Sequence, residues 1–307
     1  MIDTKDFAFF EDQKSFDFKG FLIKITSYWK WFIVSLLITF IIANQVNVRK
    51  EKIYALDTTI AIKEENNPFF TSTTSLVFNW GGTSDQVQNV ANTLKSRYHN
   101  ELVVDKLQFY IDYLQKGEYN YKDVYGEIPF HINIEEGKGQ LLNKLIAIKF
   151  LSKTEYEVRI EFENSDATIY EYKNKTSSNT NVGIGEYIKK FKVGQKVNLP
   201  FLNWKLEIND NAGDYEGNEY LIRFNNFDGV VSRYRGIDVN IDAKAASILK
   251  LSLQGSNKNR LVDYLNSTVQ MLINEQLRRK NQFATNTIKF IDSTLASMGR
   301  QLKETGD

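Results

Sequence analysis

Apolar positions along this chain are spaced in distinct ways, and each spacing predicts a different kind of element. Between Trp31 and Ala43 they run almost without interruption, as WFIVSLLITFIIA. From Ile53 they alternate with polar positions. Around 87–107 and again beyond Asn259 they recur every three or four residues, and between those regions short apolar runs are separated by turn-forming residues.

The uninterrupted run alone is short for a membrane span and would suit a signal-peptide core or a buried helix. Extended to Tyr28–Val46 it contains a single charge, Lys30, close enough to the edge for its ammonium to reach headgroup level. A helix of that length measures about 28 Å, close to the hydrocarbon thickness of a bilayer. Tyr28, Trp29 and Trp31 cluster at one end, as interfacial aromatics do, and NVRKEK closes the other with charge. The leader carries Asp3, Asp6, Glu11, Asp12 and Asp17, unlike a short basic signal leader, and no small-x-small pattern follows Ala43. SLLITFII is apolar on every face, as lipid exposure demands. We therefore expect a retained transmembrane helix over 28–47, with Trp31, Phe32, Ile33, Val34, Leu36, Leu37, Ile38, Phe40, Ile41 and Ile42 facing lipid. A buried helix and a cleaved signal are the lesser alternatives.

Flanking cations do not orient the span. Lys14, Lys19, Lys24 and Lys30 stand on one side and Arg49, Lys50, Lys52 and Lys63 on the other. Ahead of it, Phe18, Leu22, Ile25 and Trp29 form an amphipathic stripe. Two readings fit: a helix lying on the membrane surface, or a first turn of the spanning helix.

Beyond the span, Tyr54, Leu56, Thr58, Ile60 and Ile62 alternate with Ala55, Asp57, Thr59 and Ala61, predicting a half-buried strand. Ser84 or Asp85 can cap a helix continued by Val87, Val90, Ala91, Leu94 and Tyr98, with a second helical stretch through Leu102, Val103 and Leu107 and a loop from Gly117. Thereafter LIAIKFL, YEVRIEF, NWKLEI, EYLIRF, GIDVNI and ILKLSL read as strands without intervening helices, hence a largely antiparallel sheet. From Asn259 to Lys303 there is no proline, and a helix of roughly 65 Å is expected. Leu261, Leu265, Val269 and Leu272 form one stripe, and Ile288, Ile291, Leu295, Met298 and Leu302 a second at coiled-coil spacing. Such a helix is too long for its own domain to cover, so part of it is expected to seek a partner.

Composition narrows the chemistry. A net charge of +1 offers no basic excess for nucleic acid. With no cysteine there is no disulfide, thiol nucleophile or thiolate metal site, and His99 and His131, far apart in sequence, are expected as surface or partly buried polar residues rather than ligands. Gly183–Tyr187 (GIGEY) lacks the context of a nucleotide loop and is expected as a loop; Trp80–Ser84 (WGGTS) is better read as a helix-start turn than an anion cradle. Glu161 and Glu163 share a strand face, but such pairs arise freely among 38 acidic residues. No catalytic, cofactor-binding or metal residues are expected.

The order of elements resembles the polysaccharide co-polymerases, that is, the chain-length determinant (Wzz-type) proteins and the N-terminal region of the related exopolysaccharide tyrosine autokinases (Wzc-like). The residues that carry the likeness are Leu94, Lys95, Ser96 and Arg97, then Val103, Val104 and Leu107, Lys116-Gly117, Val124-Tyr125-Gly126 and Pro129-Phe130, and later Leu265-Asn266 and Phe290-Ile291-Asp292. It extends over roughly 16–305, and order and spacing carry it more than any single motif. The family's second span with its Pro-rich lead-in, and the autokinase branch's Walker-type site and Tyr-rich tail, are not in this sequence, so a longer or truncated protein is implied and any kinase activity would lie outside this chain.

The likeness implies a bacterial inner-membrane protein of α+β class. Its expected organisation is a cytoplasmic segment 1–27, the span 28–47, a periplasmic, mostly antiparallel domain with packed helices at 48–257, and a long coiled-coil-type helix at 258–307. Implied partners are further copies in a membrane ring and a polysaccharide polymerase or outer-membrane export channel, with the polysaccharide itself as a further candidate. The implied function is non-catalytic control of chain length or export of an exopolysaccharide, capsule or O-antigen, with no cofactor. A periplasmic adaptor of an efflux or secretion system, which also joins one span to a coiled coil, is the alternative; an envelope carbohydrate enzyme using Glu161 or Glu163 is a third.

Overall fold

The computed structural model describes residues 18–62, 85–242 and 245–306, in two units, Met1–Glu51 and Lys52–Asp307. The chain is mixed α+β, with antiparallel sheets, an apolar helix near the N-terminus and a long C-terminal helix.

In the first unit, α1 (Phe18–Ser27) and α2 (Trp29–Arg49) are distinct helices. Helical backbone stops at Tyr28 (φ −97°, ψ 16°), whose carbonyl accepts the first bonds of α2 from the N–H groups of Trp31 and Phe32. The amphipathic stripe is therefore not a first turn of the apolar helix. α2 has 21 residues, none buried, and is long and apolar enough to cross a membrane. Its few hydroxyls suit that role: Thr39 Oγ1 donates to the Ser35 carbonyl one turn back, which removes an unpaired donor from the apolar surface.

The second unit runs β1 (Tyr54–Ala61), α3 (Asp85–Lys95), α4 (Arg97–Leu107), β2 (Ile111–Lys116), β3 (Tyr121–Asp123), β4 (Phe130–Ile134), β5 (Gln140–Leu141), β6 (Ile146–Phe150) and β7 (Glu155–Phe162). It continues with β8 (Asp166–Glu171), β9 (Thr176–Asn181), β10 (Gly185–Lys192), β11 (Lys196–Leu199), β12 (Leu202–Ile208), β13 (Glu219–Phe224), α5 (Phe227–Tyr234), β14 (Asp238–Asp242), β15 (Ala245–Gly255) and α6 (Lys258–Gly306). A six-stranded sheet has the order β10-β7-β6-β13-β2-β3, and three-stranded sheets have the orders β1-β15-β14, β11-β12-β4 and β5-β8-β9. Tyr54 stands opposite Gly255 and Ala61 opposite Ile248, so the strand nearest the apolar helix in sequence is paired with the strand that leads into α6.

Alternation sets the core, since period two puts every second side chain on one face. In β7, Tyr156, Val158, Ile160 and Phe162 are buried while Glu155, Arg159 and Glu161 are not. Aromatics fill the interior: Phe130 meets Phe150 and Tyr220 with ring centroids 5.5 and 5.7 Å apart, and Trp204 stacks on Phe224. Edge-on and offset rings suit the aromatic quadrupole and fill volume densely.

Several expectations need correction. All six predicted strand runs are strands, but α5 lies between β13 and β14, so the strands are not free of helices. Its Asn226 cap is visible in the sequence; Asn226 Oδ1 accepts from Gly229 N. β2 intervenes before the loop at Gly117, because Phe109–Leu114 is buried throughout and shows no alternation to read. Gly185 opens β10, so only the start of GIGEY is a loop. The polar β9 carries no apolar signal at all. The helical run ending at Tyr98 is broken at Ser96. WGGTS and Ser84 lie outside the described residues.

Candidate functional site

Two groups of the residues that carry the family likeness, Val124-Tyr125-Gly126 and Leu94-Lys95-Ser96-Arg97, lie at two joints around α6. At its root, Asn257 caps the helix, its Oδ1 accepting from Arg260 N at 3.0 Å. Asn257 Nδ2 donates to the carbonyls of Asp123 (2.9 Å) and Tyr125 (3.1 Å), and Tyr125 OH donates to Asp263 on the first turns of α6. Gly126 sits at φ +78°, and a Cβ there would come within 2.7 Å of Asn259 Nδ2. Val124-Tyr125-Gly126 thus forms the seat of the long helix, with glycine needed both for its backbone and for the close approach of Asn259.

Arg260 anchors this seat. Its side chain is 6% exposed, and it donates to Asp123 Oδ2 and to the Ile111 carbonyl, both at 2.7 Å. Asp112 lies 3.6 Å away and is also held by Arg223. The guanidinium stands over the Tyr125 and Phe109 rings at 4.6 and 5.1 Å. Burial works against its charge, but the carboxylates of Asp123 and Asp112 outweigh burial and hold its pKa above the usual arginine value. Sequence reasoning missed Arg260, Asp112, Asp123 and Asn257. Asn257, three residues before Arg260, was the available signal, a cap residue opening a helix.

The second joint holds Leu94, Lys95, Ser96 and Arg97. Leu94 is buried at the end of α3 and Lys95 exposed in its last turn; Ser96 caps α4, accepting from His99 N at 3.2 Å. Arg97 bridges Glu101 and Asp228, tying α4 to α5. Asn100, fully buried, donates to the carbonyls of Leu94 (2.9 Å) and Ser96 (2.7 Å) and accepts from Tyr264 OH on α6. His99, expected near the surface, is 2% exposed, with Nε2 3.2 Å from Thr268 Oγ1. Burial lowers its pKa, opposed in part by the charge of Glu275. Pro129 and Phe130 complete the set at the start of β4: the Pro129 carbonyl accepts from Asn209 N at 2.8 Å, and Phe130 is core.

These joints hold only the proximal part of α6. Leu261, Leu265 and Leu272 are buried, and Val269 of the same stripe is half-buried. Farther along, Ile288, Ile291, Leu295 and Met298 are 60%, 50%, 61% and 55% exposed. The side chain of Leu302 lies outside the described residues. At about 100° per residue the two stripes sit on faces about 105° apart, so the second does not continue the docked seam.

Nothing comparable gathers around the other candidates. Glu161 faces Glu186 across β7 and β10, with Arg159 bridging Glu186 at 3.3 Å, on an exposed face. His131 contacts Asn209 and Glu207 at the surface. A cleft of about 120 Å³ beside Arg260 is lined by the same ion cluster, and a groove of about 490 Å³ runs between β1, α3 and α6. Among the described residues no group of three or more His, Cys, Asp or Glu is placed to hold a metal. Comparison with protein-family models and with curated proteins finds no match to this chain.

Proposed function

We propose that this chain is the non-catalytic, membrane-anchored scaffold of a bacterial polysaccharide co-polymerase, related to the chain-length determinants and the N-terminal region of the exopolysaccharide autokinases. In this reading 1–27 is cytoplasmic, 28–47 spans the inner membrane, 48–257 forms a periplasmic domain and 258–307 extends as a helix toward neighbouring copies. The copies form a ring that acts on a polymerase or export channel and sets polymer length or delivery.

One observation carries the reading. α6 is seated at its root on Val124-Tyr125-Gly126 of the family likeness and locked there by Asn257 and Arg260, while Ile288, Ile291, Leu295 and Met298 stand exposed beyond its domain. An apolar stripe at three-four spacing on a helix too long for its own domain is suited to burial against an equivalent helix. An adaptor would place a helical hairpin inside a β-domain, whereas α6 is one continuous helix of 49 residues.

Deleting the gene is expected to change the length distribution or amount of surface polysaccharide, and the intact gene to restore it. The doubly charged variant Ile291→Asp/Leu295→Asp is expected to fail in restoration and to shift detergent-solubilised protein to smaller mass. Unaltered polysaccharide in the deletion strain would overturn the reading, as would full restoration by that variant.

A further inference from the structure

The amphipathic helix ahead of α2 plays no part in the function proposed above, yet its residues are arranged for a partner. We infer that α1 lies in the headgroup region of the membrane that α2 crosses, with its apolar face toward the acyl chains and its lysines on anionic phospholipid. This rests on α2 being a membrane span.

Three observations converge. First, helix α1 is separated from α2 by the break at Tyr28, so it is not obliged to continue along the same axis. Second, at about 100° per residue, Phe18, Phe21, Leu22 and Ile25 fall within an arc of about 100°. Lys19 and Lys24 flank that arc on its two sides and Gly20 and Ser27 lie opposite it; Ile23 alone departs from the pattern. Lysines flanking an apolar arc can extend their ammonium groups outward while their methylene stems stay with the apolar side chains. Third, charge changes sign at the start of the helix. Asp3, Asp6, Glu11, Asp12 and Asp17 precede it, whereas from Phe18 through Arg49 there is no acidic residue, and Lys19, Lys24 and Lys30 all stand on this side of the apolar run.

The alternatives fit less well. Were α1 to extend α2 into the bilayer, Lys19, Lys24 and Ser27 would enter hydrocarbon. In water a helix of 10 residues is too short to be stable unaided. The single-residue joint keeps α1 next to Tyr28, Trp29 and Trp31, the aromatics that mark the interface. A leaflet with anionic lipid supplies both the apolar boundary and the counter-charge for the lysines.

The absence of cysteine makes the test direct, since each introduced cysteine is the only one in the chain. Full-length protein carrying a spin label at Gly20→Cys, Phe21→Cys, Ile25→Cys, Ser27→Cys or Ile38→Cys is reconstituted into phosphatidylcholine vesicles with or without phosphatidylglycerol. Oxygen accessibility is expected to exceed that of a water-soluble nickel chelate at positions 21 and 25, with the reverse at 20 and 27. The label at 38 should be deeper than any of these. Omitting phosphatidylglycerol, or combining Lys19→Gln with Lys24→Gln, is expected to shift labels 21 and 25 toward water. Water-like accessibility at all four α1 positions with a deep label at 38 would overturn the inference while leaving the span intact. Steady deepening from 20 to 27 would overturn it in favour of an extended span, and indifference to phosphatidylglycerol would overturn the anionic assignment. A shallow label at 38 would remove the span and the inference with it.

Discussion

The two halves of α6 share one backbone and nearly one composition, yet they live in different environments. The first half presents Leu261, Leu265 and Leu272 to α4, β1 and β15 and is pinned by Arg260. The second presents Ile288, Ile291, Leu295 and Met298 to solvent. Apolar spacing is as regular in the undocked half as in the docked one. What separates them is polar chemistry: the docked half carries Asn257, Arg260, Asp263, Tyr264 and Thr268, each with a hydrogen-bond partner in the domain. An apolar stripe makes a helix adhesive in general, whereas the polar set gives it one seat, because a slipped register would leave its buried polar groups unpaired.

That contrast can be broken from either side. Arg260→Met should have the largest effect, leaving Asp123 partly buried without its cation and Asp112 with Arg223 alone; a loss of about 3–5 kcal/mol is expected in urea unfolding of the solubilised chain. Next, Leu265→Ala should cost about 2–5 kcal/mol through the cavity it leaves. Leu295→Ala, measured in dilute detergent where copies are apart, should change stability by less than about 0.5 kcal/mol. Equal losses at the two leucines would erase the distinction between the halves. Ser96→Ala removes the cap of α4 and should cost about 1 kcal/mol, seen as a lowered thermal midpoint.

The smallest expected effect is a pH dependence at His99. Its pKa is lowered by burial in the folded chain, so the unfolded chain binds the proton more readily. The contribution is complete above the ordinary histidine value of 6.5 and is lost as pH falls below it. Thr268 and Glu275 on α6 face the ring, and Glu275 offsets part of the effect. Unfolding midpoints compared between about pH 7 and about pH 5 should fall more steeply for the wild type than for His99→Gln; identical slopes would show that His99 carries none of it.

Legibility in the sequence followed the physics of each element. β7 could be read because one face is buried and the other wet, so Tyr156, Val158, Ile160 and Phe162 alternate with charged residues. β2 could not, because Ile111–Leu114 is buried on both faces and leaves no period. β9, TSSNTN, is held by its ladder to β8 rather than by burial, and its composition reads as loop. His99 was misjudged because its surroundings are assembled from α4 and α6, 169 residues apart in sequence.

The sequence by itself determined a long apolar helix, expected at 28–47 and found at 29–49, the antiparallel α+β character, and a C-terminal helix bearing two apolar stripes, since each depends on local spacing. Only the tertiary structure decided which stripe is covered, that Val124-Tyr125-Gly126 is the seat of α6, and that Arg260 is buried between two aspartates. Those outcomes depend on groups brought together from distant parts of the chain, and spacing along one segment holds no record of what folds against it.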